Sequence, residues 1–303
     1  MDRKQYKLKP AFSYFGSKHN LALPILKYLP PHNAWVDVFC GSAALTLAKP
    51  PASIEIINDI NGEIINFFEQ LRKRPEKIYS MLNLTPYARE ELNRARKNGV
   101  GISKIEKARR FIVSSMMSIN GIFGDHKGGF SYSDSYARNK MEARVNRWNN
   151  MPLRLQFVVE RLKRVRFENK DARALLKSFM NRPATLVYLD PPYLTKRSKG
   201  YDFDQTDEKF HEELLKIACS AKCMILISGY DNSLYKKYLK SSYGWKTIKI
   251  VTHTQGSNGK RMERMEYLWQ NKYCVKAINL KRAPIILTKR EKTLGKINPI
   301  RNR

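Results

Sequence analysis

The chain has 303 residues, 42% of them apolar and 11% aromatic, which is enough for one large or two moderate domains with a buried core. Its 57 Lys and Arg residues outnumber 27 Asp and Glu residues, and a formal net charge of +30 indicates a polyanionic partner, most simply nucleic acid. The sequence has neither an apolar run of about 18 residues nor a signal-peptide pattern, so it favours a soluble, cytoplasmic protein over a membrane-bound one.

An aromatic residue, a glycine and a lysine stand close together near the amino terminus. The segment Tyr14-Phe15-Gly16-Ser17-Lys18 precedes a helical stretch over residues 20–29. It suits a lid over a carboxylate-bearing cofactor and equally suits a plain turn.

Two strand–helix units follow. Apolar residues 35–39 predict a strand, residues 40–44 predict a turn of small side chains, and an Ala/Leu-rich helix runs to residue 48. Residues 54–57 predict a second strand, and residues 63–68 have the apolar spacing of a helix. A strand followed by a helix, twice, predicts a parallel sheet with helical crossovers.

Acidic residues lie at the ends of both strands. In Asp37-x-Phe39-x-Gly41, small residues would let backbone N–H groups and a helix start approach a nucleotide-like cofactor, although a structural turn explains the motif as well. Asp59 lies about 20 residues further on, where dinucleotide-binding folds hold ribose hydroxyls, and helix N-capping is its alternative role.

The pattern changes between about residues 79 and 162, where strands give way to basic, helix-prone sequence and a Gly-rich stretch at residues 120–130. This change predicts an inserted subdomain with a mobile loop. The basic stretch at 89–110 and the clusters at 161–164 and 196–199 suit phosphate contacts, although solvated helix faces are the usual explanation of charge runs. The net charge of +30 favours phosphate contacts here.

Strand patterning resumes at residues 164–168, 185–189 and 223–228, with a helix over residues 209–218. The turn Asp190-Pro191-Pro192-Tyr193 comes directly after the second of these strands. Adjacent prolines lack N–H groups and fix φ, so the chain must leave the sheet there in one stiff conformation. A carboxylate, a carbonyl and an aromatic face side by side fit an amino group on a planar base. The plainer interpretation is a loop whose Asp caps a turn.

The cysteines do not indicate a metal site. They are scattered, and although two of them would share a face if both lay on one helix, no second Cys/His pair follows at zinc spacing. Buried, reduced thiols are therefore expected at Cys40, Cys219, Cys223 and Cys274.

Several short motifs, taken in chain order, resemble those of the DNA adenine N6-methyltransferases of the Dam-like family, especially its phage and prophage branch. They are Y-F-G-S-K, D-V-F-C-G-S, N-D-I-N, N-G-I-F-G, L-D-P-P-Y, I-S-G-Y and R-M-E-Y-L-W. The resemblance extends from about Tyr14 to Asn271, and several motifs in one order are far more specific than any one alone. It implies an α/β fold, the Rossmann-like sheet of S-adenosylmethionine-dependent methyltransferases with an inserted, mainly helical target-recognition subdomain.

On this resemblance we expect a catalytic domain in two parts around the inserted subdomain. Residues 1–78 would carry the cofactor motifs, residues 79–162 would recognise the target, and residues 163–275 would carry the catalytic turn. Residues 276–303 would form a basic carboxyl-terminal tail. The implied reaction transfers a methyl group from S-adenosyl-L-methionine to N6 of an adenine flipped out of double-stranded DNA, without a metal ion.

The resemblance also implies a role for each matching position. Tyr14 and Lys18 would contact the cofactor. Its methionine portion would lie at Asp37, Phe39 and Gly41, its ribose at Asp59, and its adenine beside Asp171.

The catalytic turn would serve the target base. Asp190, which also borders the cofactor, and the Pro191 carbonyl would hold the amino group, while Pro192 belongs to the same stiff turn and Tyr193 would stack on the base. Within residues 83–154, the candidates for contacts in the major groove are Asn120, His126, Lys127, Arg138 and Asn139.

Two positions depart from the family's pattern. Phe210 stands where an aspartate often precedes the histidine that is His211 here, and Tyr14 stands where some relatives carry tryptophan. Neither change removes a group that the chemistry needs.

Other functions stay open at this point. Cytosine N4 methylation can use the same turn, although D-P-P-Y rather than S-P-P-Y favours adenine, and RNA methylation more often uses N-P-P-Y. A DNA-binding protein that has lost catalysis would show a steep salt dependence of binding without methyl incorporation. The sequence leaves open the DNA target, a cognate restriction endonuclease as partner, and whether the protein is a monomer or a weak dimer. We expect it on DNA in the cytoplasm of a bacterial or phage-infected host cell.

Overall fold

Seven strands form one sheet in the computed structural model, which describes residues 10–14, 16–97, 99–119, 121, 128–134, 136–194, 207–255 and 261–284. With the two strands of a separate hairpin, the described residues form nine strands: β1 (Ala34–Asp37), β2 (Ile54–Asn58), β3 (Ala137–Arg138), β4 (Met141–Glu142), β5 (Val165–Glu168), β6 (Thr185–Leu189), β7 (Met224–Gly229), β8 (Lys246–Gln255) and β9 (Arg261–Gln270). Strands β3 and β4 form a separate hairpin.

Helices cover the sheet and build the inserted region. They are α1 (Ala22–Leu26), α2 (Ala44–Ala48), α3 (Gly62–Lys73), α4 (Pro75–Asn83), α5 (Arg89–Arg96), α6 (Lys104–Met117), α7 (Ala143–Asn149), α8 (Met151–Leu162), α9 (Ala172–Phe179), α10 (Glu208–Ser220), α11 (Ser233–Tyr238) and α12 (Lys272–Leu280). Short 3₁₀ turns lie at Lys18–Asn20 and Ser241–Tyr243.

The sheet has the order β5-β2-β1-β6-β7-β9-β8. Its first five strands are parallel, and β9 and β8 continue it as an antiparallel hairpin. The chain runs outward from β1 through β2 to β5, then returns to the other side of β1 and runs outward again through β6 and β7. The reversal between β1 and β6 is the topological switch point of a doubly wound sheet. The expected α/β fold is confirmed, although the sequence patterns did not predict the β8–β9 hairpin.

The central parallel strands β1, β6 and β7 are buried on both faces because helices cover both, whereas the edge strand β5 exposes Arg166. Every residue of β6 is buried. Val36 of β1 lies opposite Val187 of β6 and faces the core beneath α9 and α10. Trp35 and Tyr188 face the other core and stack with ring centroids 5.7 Å apart.

The inserted helices share their core with the helix that follows β2. Phe12 contacts Phe67 and Phe68 of α3 and Phe111 of α6, with ring centroids 4.9–5.8 Å apart. Two of the domain boundaries expected from the sequence fall inside helices. The boundary between residues 78 and 79 lies within α4, and the boundary between residues 275 and 276 lies within α12. Helices α4 to α8 therefore pack against α3 and the segment around Phe12 through one continuous apolar cluster.

Two interpretations from the sequence are wrong. The first is the assignment of Arg161 to a basic cluster that contacts phosphate. Its guanidinium is buried and forms an ion pair with Glu55 of β2. Arg109 and Arg110 are likewise paired with Glu106 on their own helix. Cys219 is exposed rather than buried, because it lies on the outer face of α10, while the other three thiols are buried. The cluster at 196–199 lies outside the described residues.

Within the described ranges, no helix combines the length and the apolar character needed to cross a membrane.

Candidate active site

Two carboxylates lie at the carboxyl edge of the sheet on either side of the switch point. Asp37 is the last residue of β1 and pairs in register with Tyr188 of β6. Asp190 follows β6 directly, where Pro191 and Pro192 prevent the ladder from continuing. In open α/β sheets, ligands bind in the crevice at this point.

One oxygen of Asp190 is occupied and the other is open. Oδ1 lies 2.8 Å from the Lys18 ammonium and accepts a hydrogen bond from the Ser228 hydroxyl at 2.9 Å. Among the described residues, none donates to Oδ2 or to the Pro191 carbonyl. The turn therefore carries two neighbouring acceptors that no described residue occupies.

Lys18 also connects this turn to β9. Its ammonium donates to the Tyr193 hydroxyl and lies 3.5 Å from Glu266 Oε1, while that hydroxyl donates to Glu266 at 2.9 Å. Burial alone would lower the pKa of Lys18, but attraction to Asp190 and Glu266 outweighs it and raises the pKa. Lys18 is therefore a fixed cation between two carboxylates.

Tyr193 is held at both ends. Its hydroxyl is bound as described above, and its ring lies against Tyr230 with centroids 4.4 Å apart and planes at 48°. Burial and the nearby Asp190 raise the pKa of Tyr193, so the hydroxyl stays protonated.

Asp37 is buried beneath the turn that follows β1. Its Oδ2 accepts a hydrogen bond from Thr46 at 2.7 Å, and Oδ1 is buried without a partner in the described chain. Burial raises the pKa of Asp37 to about 7, with the Thr46 hydrogen bond opposing the shift.

Gly41 and Asp59 join the ends of β1 and β2. The Asp59 carboxylate accepts from the N–H of Gly41 at 2.9 Å and from the N–H of Asn61 at 3.0 Å. Burial raises the pKa of Asp59 to about 6. The N-cap of α3 is Asn61, whose side chain accepts from Glu63, so the capping alternative for Asp59 is not the arrangement seen. Gly41 has φ +47°, and the Tyr14 ring lies close above it.

The remaining cofactor candidates are Asp171, which lies between β5 and α9, and Phe39, which follows β1. Asp171 caps α9 and forms a bidentate pair with Arg173, which is the main cause of its lowered pKa. Its neighbour Lys170 is bound through its carbonyl to Asn58 at 3.0 Å, which ties this loop to the end of β2. Phe39 meets the ring of Phe210 edge-on at 6.4 Å.

Two of the five candidate DNA contacts lie on the β3–β4 hairpin. Arg138 ends β3, and Asn139 follows in the turn with φ +54°. Both line a groove of about 970 Å³ that is also lined by Ser13, Tyr14 and Ser17. Asn120, His126 and Lys127 lie outside the described residues.

The same groove carries arginines that the sequence did not single out. Arg144 and Arg147 of α7 and Arg154 of α8 line it, and none of them pairs with a carboxylate in the described part of the chain. Arg147 donates to the Ser13 hydroxyl at 2.5 Å. Burial and then repulsion by Arg147 lower the pKa of Arg154 to about 10. Unpaired guanidinium groups side by side favour an anionic ligand.

Ser228 and Glu266 are site residues that sequence reasoning missed. Both lie in motifs that carry the resemblance, yet neither was given a role. The signal for Glu266 was an acid within the otherwise apolar run Met265-Glu266-Tyr267-Leu268-Trp269, since a buried carboxylate requires a partner.

Comparison with known proteins gives a family and two relatives. The model of the D12 class N6 adenine-specific DNA methyltransferases matches residues 14–254. The type II methyltransferase M1.LlaDCHI of Lactococcus lactis subsp. cremoris is 24% identical over 230 residues, which are 70% of this chain and 75% of that protein. The DNA N-6-adenine-methyltransferase of Escherichia phage P1 is 23% identical over 254 residues, or 76% of this chain and 32% of that protein.

Solved structures with a similar outline include a putative RNA methyltransferase from Pyrococcus horikoshii, with a TM-score of 0.38, 8% identity and 86% of each chain covered. A SAM-dependent methyltransferase from Agrobacterium tumefaciens has a TM-score of 0.38 and 9% identity, covering 86% of this chain and 63% of that one. Both scores are low, so the fold assignment is based on the strand order of the chain itself.

Proposed function

The chain belongs to the D12 class of N6 adenine-specific DNA methyltransferases, and we propose that it uses S-adenosyl-L-methionine to methylate an adenine flipped out of double-stranded DNA, with Asp190 and the Pro191 carbonyl holding the amino group. The observation that carries this proposal is the state of the catalytic turn. Asp190 Oδ1 is fixed by Lys18 and Ser228, while Oδ2 and the Pro191 carbonyl accept no hydrogen bond from the described residues.

The crevice has features that fit S-adenosyl-L-methionine. Gly41 leaves the turn after β1 without a side chain, and Asp37 has a buried oxygen without a partner in the described residues. Two carboxylates surround the Lys18 ammonium, so the cluster is net negative and suits a sulfonium cation. Tyr14, Lys18, Asp37, Phe39, Gly41 and Asp59 would hold the cofactor, with Asp171 toward its adenine. When bound, the cofactor supplies an electrophilic methyl group on sulfur.

The contribution of the catalytic turn is to orient the target nitrogen. The lone pair of an adenine amino group is delocalised into the ring, so the nitrogen is a poor nucleophile. Two acceptors on its hydrogens, Asp190 Oδ2 and the Pro191 carbonyl, favour pyramidal geometry and direct the lone pair toward the methyl group. Holding the reacting atoms in this arrangement supplies most of the rate enhancement.

Access to this turn requires the adenine to leave the duplex. Extrusion costs a few kcal/mol, and stacking on an aromatic ring returns about 1–3 kcal/mol. The Tyr193 ring, fixed through its hydroxyl and against Tyr230, is the stacking surface we assign.

Duplex DNA would be held by the inserted helices, residues 79–162. The groove between the amino-terminal segment and α7 is lined by Arg144, Arg147 and Arg154 and reaches the Arg138 hairpin. Phosphate contacts fix the register of a protein on DNA, and base contacts give specificity. The arginines of α7 and α8 suit the first role, and Arg138 and Asn139 suit the second.

Digestion of methylated DNA to nucleosides tests this function. Purified protein, labelled S-adenosyl-L-methionine and mixed-sequence duplex DNA should give label in N6-methyldeoxyadenosine alone. A matched RNA duplex should take up no label. Label in N4-methyldeoxycytidine, or label in RNA but not in DNA, would replace this proposal with one of the two competing reactions.

A further inference from the structure

Glu266 is a buried acid beside the catalytic turn, on the long strand that pairs with β7 and β8. It lies in β9, is 3% exposed, and is paired in register with Ile250 of β8. The charged and titratable groups that face it are Lys18, from the 3₁₀ turn, and Asp190 and Tyr193, from the catalytic turn. Burial raises the pKa of Glu266, and Lys18 opposes the shift.

Hydrogen-bond direction determines what Glu266 does in this cluster. An ammonium group can only donate, so the Tyr193 hydroxyl must accept from Lys18. The single proton of that hydroxyl is then directed to Glu266 Oε1, 2.9 Å away. Glu266 is therefore the acceptor that completes a chain from Lys18 through Tyr193.

The alternative acceptor for that proton is the catalytic carboxylate itself. The Tyr193 hydroxyl lies 3.5 Å from Asp190 Oδ1, which already receives Lys18 and Ser228. Without Glu266, the hydroxyl proton would rotate toward Asp190, and shortening the 3.5 Å separation to a good hydrogen bond would move the ring and the carboxylate toward each other. Both the stacking ring and the carboxylate would then leave their positions.

We propose that Glu266 is a positioning residue for methyl transfer: it accepts the Tyr193 proton and thereby fixes the Tyr193 ring and leaves Asp190 free to hold the target amino group. This inference rests on the proposed function. Glu266 contacts neither substrate nor cofactor in it and acts through Tyr193.

A double-mutant cycle on methyl transfer tests the coupling. Glu266→Leu and Tyr193→Phe are measured singly and together, as single-turnover rate constants with saturating cofactor and DNA. Displacement of reacting groups predicts a loss of about 10- to 100-fold for Glu266→Leu. In the Tyr193→Phe background the same substitution should lose most of its effect, because the hydroxyl that Glu266 holds is gone and only its weaker contact with Lys18 remains.

Matched variants keep the test independent of folding. Glu263 lies on the same strand and its side chain is exposed, so Glu263→Leu should leave the rate unchanged. Glu266→Gln keeps a carbonyl acceptor, so it should recover most of the activity lost in Glu266→Leu. If Glu266→Leu does not fold, the cycle is repeated with Glu266→Gln, whose smaller effect should also be mostly lost in the Tyr193→Phe background.

Multiplicative losses in the double variant would overturn the inference, as would a Glu266→Gln variant no more active than Glu266→Leu. In either case wild-type methylation would still stand, so the proposed function would be unaffected. A wild-type protein without methyl transfer would remove the proposed function, and this inference with it.

Discussion

The Asp59 carboxylate accepts a hydrogen bond from the backbone N–H of Gly41 at 2.9 Å, and this bond joins the carboxyl ends of two neighbouring parallel strands. It fixes the turn after β1 in a conformation with φ +47°, while Tyr14 lies over the same glycine. The cofactor crevice we propose is therefore held in shape by main-chain geometry as much as by side chains.

Substitution of Gly41 by alanine should weaken cofactor binding more than it weakens the fold. A Cβ at Gly41 would lie 3.0 Å from Tyr14 Cδ1, and left-handed backbone costs an L-residue about 1–2 kcal/mol. Gly244→Ala is the matched control, since Gly244 has φ +81° and its Cβ would lie 3.0 Å from Lys272 Cβ, in the turn before β8. We expect both variants to lose a similar amount of unfolding free energy. Only Gly41→Ala should also lose affinity for S-adenosylhomocysteine, by at least about 10-fold as measured by calorimetry. Equal affinities in the two variants would contradict this placement.

Asp37 should make the stability of the cofactor-free protein depend on pH. Its pKa is about 7 in the fold, mainly through burial, and 3.8 in the unfolded reference. The folded state therefore holds the proton more tightly, so the contribution of Asp37 to stability is greatest below about pH 4 and is lost as the pH rises through 7. The Asp37→Asn side chain cannot ionise. The difference in unfolding free energy between this variant and the wild type, measured in urea, should therefore grow in the variant's favour by about 2–3 kcal/mol from pH 5 to pH 8. Parallel stability curves over that range would show that Asp37 does not titrate this way.

Arg161 should matter for folding and not for DNA. Its guanidinium binds Glu55 at 2.8 Å and the Thr46 carbonyl at 2.9 Å, and Lys49 shares Glu55 at 2.8 Å. Removing one partner of a buried pair costs about 3–5 kcal/mol, so Arg161→Met should lose about 3 kcal/mol while Lys49 remains. Lys163 is an exposed neighbour, and Lys163→Met should lower the free energy of unfolding by less than about 1 kcal/mol. An Arg161→Met variant with normal stability and a reduced salt dependence of DNA binding would restore the phosphate-contact interpretation.

Arg144 and Arg147 should contribute to DNA affinity through counterion release. Each phosphate contact adds about 0.9 to the slope of log K against log salt concentration. Arg144→Gln and Arg147→Gln should each reduce the slope by about 1, similarly for every DNA sequence tested. Arg94 on α5 is exposed and paired with Glu91, so Arg94→Gln should leave the slope unchanged. Unaltered slopes in the α7 variants would place the duplex elsewhere.

The sequence was most informative where local pattern and topology agree. Buried apolar runs such as Thr185–Leu189 predicted the parallel strands, because helices on both faces leave no polar positions. Once those strands are parallel, Asp37, Asp59 and Asp190 must lie at one edge of the sheet. Their common location therefore followed from the order of strands and motifs.

The sequence was least informative about contacts between distant segments. Arg161 is 106 residues from its partner Glu55, and a basic cluster has the same pattern whether its members are solvated or buried. The β8–β9 hairpin was not predicted although Lys246–Gln255 is rich in β-branched residues and partly alternates polar with apolar ones, and with it the position of Glu266 was missed. Asp59 and Asn61 are both preferred N-caps, and only the geometry shows which of them caps α3.

The most direct test of the central claim is methyl transfer by an Asp190→Ala variant, measured in a single turnover with labelled S-adenosyl-L-methionine and duplex DNA. Asp190 is assigned to hold the target amino group through its open oxygen, so the variant should bind DNA within about threefold of wild type and lose methyl transfer by at least about 10³-fold. An Asp190→Ala variant that transfers methyl at close to the wild-type rate would contradict the account.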